Sequence, residues 1–146
     1  MRSRGRTPRS VWLKRSEGTV TPEEALRLRL SPGAAVYRFN RIRYADDVAM
    51  ALEYSTVPDG LIADPTRVDA SLYDAMGGHR PTRVLQRMRA VMMNREQTHL
   101  LEIDGVAAGL EIERRGFDGS GRIVEFTRSL YRGDAYDYVA ELRQER

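Results

Sequence analysis

Extended segments that come in pairs around short turns constrain this chain more than any other feature. Residues 34–44 and 48–57 meet across Asp46-Asp47, and residues 108–116 and 122–131 meet across Phe117-Asp118-Gly119-Ser120-Gly121. Two such runs around Asp- and Gly-bearing turns predict β-hairpins, because those residues accept the backbone conformations that tight loops require. Residues 82–93 predict a further strand, Ser10 to Lys14 the start of another, and Pro58-Asp59-Gly60 a turn. Three short helices are predicted between them. Thr21-Pro22-Glu23-Glu24 combines an N-cap, a proline at the first helical position and a capping box, and this helix should run to about Leu30 and stop at Ser31-Pro32-Gly33. Asp69 can cap a helix over about 70–76 that ends at Gly77-Gly78, and Asn94 with Gln97 predicts a capped helix to about Glu102. Tyr136, Tyr138, Ala140 and Leu142 alternate, which predicts a last strand over 135–142, whereas residues 1–10 read as extended or loose. Hairpins with a few helices specify an α+β fold built on an antiparallel sheet.

A chain of 146 residues is one domain's worth, and residues 1–146 read as a single domain able to bury a core without disulfides. The absence of cysteine excludes disulfide scaffolds and thiolate metal or redox sites, and two histidines, His79 and His99, are too few for a histidine-rich metal cluster. No apolar run approaches the ~20 residues of a membrane span, and the Arg-rich start lacks a signal peptide's apolar segment. The expectation is a soluble cytoplasmic protein. Charge is unevenly placed: residues 1–15 carry six basic and no acidic groups, and the rest carry 18 basic against 21 acidic. A basic lead therefore enters a slightly acidic body, so the chain as a whole is no nucleic-acid-binding globule.

Several residues could carry chemistry. On a strand over 36–44, Tyr37, Phe39, Arg41 and Arg43 share a face, so two arginines continue a row of aromatics. Guanidinium groups on a partly buried face need carboxylates or a ligand anion. The following strand carries Ala49, Ala51, Glu53 and Ser55 on one face, a lone carboxylate among small residues. Register decides whether these groups meet. A two-residue loop at Asp46-Asp47 puts Glu53 opposite the face of Arg41, whereas a three-residue loop from Ala45 to Asp47 unites Arg41, Arg43 and Glu53. Ser71 falls in the first turn of a short helix, where a hydroxyl serves capping or helps to bind an anion. Ile123, Glu125, Thr127, Ser129 and Tyr131 share a face that is either solvated or lines a polar pocket. Nucleophile-elbow, P-loop and dinucleotide signatures are missing, and no cofactor is implied.

The run Arg41-Ile-Arg43-Tyr-Ala-Asp-Asp-Val-Ala-Met-Ala-Leu-Glu53 resembles the strand–turn–strand of UTRA domains, the effector-binding halves of HutC-type GntR transcription regulators. Ser71-Leu-Tyr73 is similar to that family's Ser-hydrophobic-Tyr helix start. Val124-Glu125-Phe-Thr-Arg-Ser-Leu-Tyr131-Arg132-Gly133-Asp134, with Tyr136, resembles its ending, and Ser3-Arg-Gly-Arg-Thr-Pro8 its opening. Ala49 stands where the family usually has proline.

The resemblance implies a chorismate-lyase-like fold, a central antiparallel sheet with helices packed on it, and a homodimer. It implies that Arg41, Arg43 and Ser71 hold the phosphate of an amino-sugar phosphate, that Glu53, Glu125 and Tyr131 contact the sugar, and that the three-residue loop is used. It also implies a sensor without enzymatic activity, contacting DNA only through a winged-helix domain that nothing in this chain resembles. A sugar phosphate is the favoured effector, and a carboxylate such as urocanate is the alternative. Two further readings are an enzyme of the same general fold acting on a small aromatic acid, and a nucleic-acid arm formed by the basic start.

Overall fold

A computed structural model describes residues 8–69 and 71–134. Six strands, β1 (Pro8–Thr19), β2 (Ala35–Ala45), β3 (Val48–Pro58), β4 (Arg83–Met92), β5 (Ala108–Phe117) and β6 (Ile123–Arg132), alternate with three helices, α1 (Pro22–Leu28), α2 (Leu72–Met76) and α3 (Arg95–Leu100). The strands form one sheet in the order β1-β2-β3-β6-β5-β4, and every neighbouring pair is antiparallel. The fold is α+β, as the hairpin pattern specifies.

The helix starts follow local chemistry. Thr21 caps α1 by accepting from the Glu24 N–H, and Glu24 accepts in return from the Thr21 N–H at 2.8 Å. Asn94 and Gln97 make the same reciprocal pair at α3. The helix ends are earlier than expected. Arg29 turns α1 off in the left-handed region, φ 54°, with its N–H bonded to Ala25 O, and α3 stops at Leu100. Two starts are corrected. Ser71 caps α2 in place of Asp69, because the Ser71 Oγ accepts from the Asp74 N–H. Pro8 and Arg9, expected to be extended or loose ahead of a strand starting at Ser10, already belong to β1, held by pairing with β2 from Pro8↔Ala45 onward. The predicted strand over 135–142, and Tyr136 with it, lies outside the described residues.

The hairpin between β2 and β3 resolves the register question. Ala45 pairs with Val48, so Asp46-Asp47 is a two-residue turn, with Asp46 at φ 55°. Tyr44 pairs with Ala49 but Arg43 with Ala51, so Met50 is an extra residue, a β-bulge. The three-residue loop implied by the resemblance is therefore corrected. Without the bulge Arg41 would oppose Leu52; with it, Arg41 opposes Glu53.

Both faces of the sheet are packed. On the front, α2 and the segment before it lay Leu61, Ile62, Val68, Leu72 and Met76 over Tyr37, Phe39 and Val57. On the back, Leu101 at the end of α3 packs with Ile42, Leu52 and Leu130, and Leu28 of α1 packs with Phe117, Ile123 and Phe126. α2 covers only the end of the front face nearest Tyr37 and Val124. The rest of that face is where the arginines lie.

Candidate functional site

Register across five strands sets the site. On the front face one row runs Arg43, Ala51, Tyr131, Leu110, and the next runs Trp12, Arg41, Glu53, Ser129, Ile112. The third runs Arg15, Phe39, Ser55, Thr127, Arg114. Directly opposed side chains are ~5 Å apart, so the first two rows form one polar patch.

Within it, Arg41 is buried, 6% exposed. Its Nε donates to Glu53 Oε1 at 2.9 Å, its Nη2 lies 2.7 Å from the same oxygen, and its guanidinium sits 5.0 Å from the Trp12 ring centroid. That stacking suits a weakly hydrated planar cation. Arg43 Nη1 stands 3.7 Å from Glu53 Oε2, beyond hydrogen-bond length, with its side chain 27% exposed. Glu53 is thus shared by two guanidiniums, bonded by one and merely approached by the other. An arriving anion therefore meets Arg43 as the more open of the two cations. Arg43, Ala51 and Tyr131 lie in one row, which places Tyr131 two strands from Arg43, ~10 Å away. Ala51 between them, 0% exposed, keeps the floor low.

Glu125 stands elsewhere. It shares the face of Tyr131 but lies six residues along β6, ~20 Å by strand rise. It is fully buried, and both its oxygens are occupied. Oε1 accepts from the Tyr73 hydroxyl at 2.6 Å, and Oε2 from Arg114 Nη2 at 2.7 Å and Thr127 Oγ1 at 2.6 Å. Ser55 and Thr127 are joined at 2.9 Å; because the Thr127 proton goes to the carboxylate, Ser55 is the donor. Burial, then the bond to Glu125, raises the Tyr73 pKa, so Tyr73 stays a phenol and a donor. Arg114 is pulled the other way by burial, but the Glu125 charge prevails and its pKa is raised. The Glu53 charge contributes to both shifts, which ties this wall to the arginine patch.

Ser71 caps α2, two residues before Tyr73. Accepting from Asp74 uses a lone pair and leaves its O–H to donate. The structure therefore brings Arg41, Arg43 and Glu53 into contact and sets Tyr131 beside them. It places Glu125 and Ser71 at the α2 end of the same face. Sequence reasoning missed Tyr73 and Arg114 as members of this wall. Tyr73 stood in the motif that carried the resemblance, whereas Arg114 had no signal short of the β5–β6 register.

Among the described residues no helix is long and apolar enough to cross a membrane. Nor do they hold three His, Asp or Glu side chains placed to bind a metal ion.

Residues 3–137 match the UTRA domain family. The HTH-type transcriptional regulator GgaR of Escherichia coli K12 is 31% identical over 140 residues, 94% of this chain and 56% of that protein. The HTH-type transcriptional repressor NagR of Bacillus subtilis is 29% identical over 144 residues, 95% of this chain and 59% of that protein. The mannosyl-D-glycerate transport/metabolism system repressor MngR of E. coli K12 is 28% identical over 117 residues, 77% of this chain and 49% of that repressor. The chain thus spans between half and three fifths of the length of its relatives GgaR and NagR. In fold, PhnF from Mycobacterium smegmatis superposes with a TM-score of 0.88 at 23% identity, covering 99% of this chain and 66% of that one. With a family match over nearly its whole length and that fold beneath it, the chain belongs to the UTRA domain family.

Proposed function

We propose that this chain is the effector-sensing domain of a GntR/HutC-type transcription regulator, and that it binds a small anionic metabolite on the front face of its sheet. The observation that carries the proposal is the bulge-aligned row in which Arg41, stacked on Trp12, and Arg43 both approach the carboxylate of Glu53. Two planar cations suit a phosphoryl or carboxylate group, which each can grip with parallel N–H donors. Ser71 adds a hydroxyl, and Tyr131 and Glu53 choose among hydroxyl- and amide-bearing bodies. Glu125, whose oxygens are taken, acts here by holding Tyr73 and Arg114 at the wall. A ligand that reaches from Tyr131 towards Glu125 lies along β6, over Ser129 and Thr127.

The chain binds its ligand without turning it over, in keeping with relatives that are all named as regulators or repressors. In a longer protein it acts as a homodimer, and ligand binding changes the spacing of two DNA-binding domains outside this chain. Such coupling requires different ligand affinity in the two states. An amino-sugar 6-phosphate is the favoured effector. A carboxylate is the second reading, supported by the relative named for mannosyl-D-glycerate, whose glycerate carries a carboxylate and no phosphate.

A thermal-shift screen of the chain against amino-sugar phosphates, other sugar phosphates, urocanate and glycosyl glycerates tests this. At a hundred times its dissociation constant a ligand stabilises by about 2.7 kcal/mol, which is several degrees for a domain of this size. The true effector should shift the wild type and leave Arg41→Ala unmoved. Equal affinity of the two proteins for that effector removes Arg41 from the site, and turnover of chorismate by the pure chain replaces the sensor with an enzyme.

A further inference from the structure

The back face of the sheet carries a second cluster of arginines that the effector reading leaves unused. Its centre is Glu113 of β5, buried at 7% exposure. Arg27 Nη1 of α1 and Arg87 Nη2 of β4 both stand 3.5 Å from Glu113 Oε2, and Arg128 Nη2 lies 3.2 Å from Oε1. Charge-assisted bonds between such groups close to ~2.8 Å. At 3.5 Å, Arg27 and Arg87 are gathered around the carboxylate without being bonded to it. Arg115, two residues along β5 on the same face, touches the Phe117 ring at 5.9 Å and has no carboxylate partner among the described residues.

Arg27, Leu85, Arg87, Glu113 and Arg115 line a recess of about 120 Å³. Three cations and one carboxylate face it, so its charge does not cancel. Buried polar groups are nearly always bonded, yet the Arg27 Nε is buried with no acceptor, as is the Arg128 Nε beside it. Water's share of liquid volume is ~30 Å³, so the recess has room for a group of about four heavy atoms, the size of a phosphoryl or carboxylate group. Leu85, 52% exposed, forms an apolar lip on which the body bearing such a group can rest.

We propose that this recess is a second oxyanion site, in which Arg27, Arg87 and Arg115 receive a phosphoryl or carboxylate group on the sheet face opposite Arg41 and Arg43. Glu113 keeps the arginines gathered when the site is vacant, and the ligand supplies the countercharge they lack. The site stands on its own residues and does not depend on the effector reading.

The test is a ¹⁵N NMR titration of the Arg41→Ala chain, in which the front-face arginine pair is already disabled. Sodium phosphate, sodium acetate and sodium chloride are compared at matched ionic strength. Phosphate should move the amides of residues 85–87 and 113–115 along a saturating curve, and chloride should not. Saturation by acetate as well makes the site a general oxyanion receptor; saturation by acetate alone makes it a carboxylate receptor. Both outcomes uphold the proposal. The double variant Arg87→Gln/Arg115→Gln should lose at least about tenfold in affinity, the cost of two charged donors. Should that variant fail to fold, Leu85→Glu places a repelling charge on the exposed lip and should weaken binding likewise. Shifts that follow ionic strength equally in all three salts overturn the site, and so does undiminished affinity in the variants.

Discussion

Glu24 accepts four hydrogen bonds, from the Thr21 N–H, from Arg38 Nε and Nη2, and from the Thr56 hydroxyl. Burial alone would push its pKa up; the bonds from Arg38, Thr21 and Thr56 outweigh that and bring it from 4.5 down to about 2. The unfolded chain therefore takes up this proton first as pH falls. The stability contributed by Glu24 is full above pH ~4.5 and is lost between there and pH ~2, up to about 3 kcal/mol. Urea unfolding from pH 5 to pH 2 should show a shallower loss in Glu24→Gln than in the wild type, and parallel curves would contradict this. The capping box made Glu24 legible from four consecutive residues. Its bonds to Arg38 and Thr56 come from β2 and β3 and were not legible. The same division holds at Glu125. Alternation put it on the face of Tyr131, but its partners come from α2 and from β5.

Among the elements, β5 is fitted most closely to the site. A Cβ on Gly116 would stand 2.8 Å from Pro81 Cβ and 2.9 Å from Glu125 Oε1. Gly116→Ala must therefore displace the carboxylate that holds Tyr73 and Arg114, at a cost of about 1–3 kcal/mol. We expect a melting point lower by several degrees, together with weaker effector binding. The cap of α3 tests the opposite expectation. Asn94→Ala should cost about 1 kcal/mol, because it leaves the Gln97 N–H without its acceptor. That helix packs on the back face, so calorimetry should show effector affinity unchanged. β2 and β3 show what can be read from one element and what needs two. Each strand's alternation was legible, but their relative parity hangs on Met50, a residue whose type does not announce a bulge.

For the molecule as a whole, strand order decides how stability is distributed. β3 and β6 lie at the centre of the sheet and are paired on both sides, whereas β4 is an edge, paired only with β5 and exposed along most of its length. Native-state hydrogen exchange should follow that order. Amides of β3 and β6 should exchange only through global unfolding, while the outward amides of β4 exchange fastest among the strands. Uniform protection across the six strands would contradict the topology. Nothing local distinguishes these positions: residues 82–93 read as a strand from their own pattern, and so did 48–57. Hairpins, helix caps and the shared face of Arg41 and Arg43 were determined by the sequence itself. Each depends on groups within a few residues of one another, where geometry follows from backbone period and side-chain reach. The union of those arginines with Glu53, the closure of Tyr73 and Arg114 on Glu125, and the gathering of Arg27, Arg87 and Arg115 at the back were decided by the tertiary structure. Each depends on register between strands or on which helix covers which face, and one residue of slippage sends every side chain to the other side.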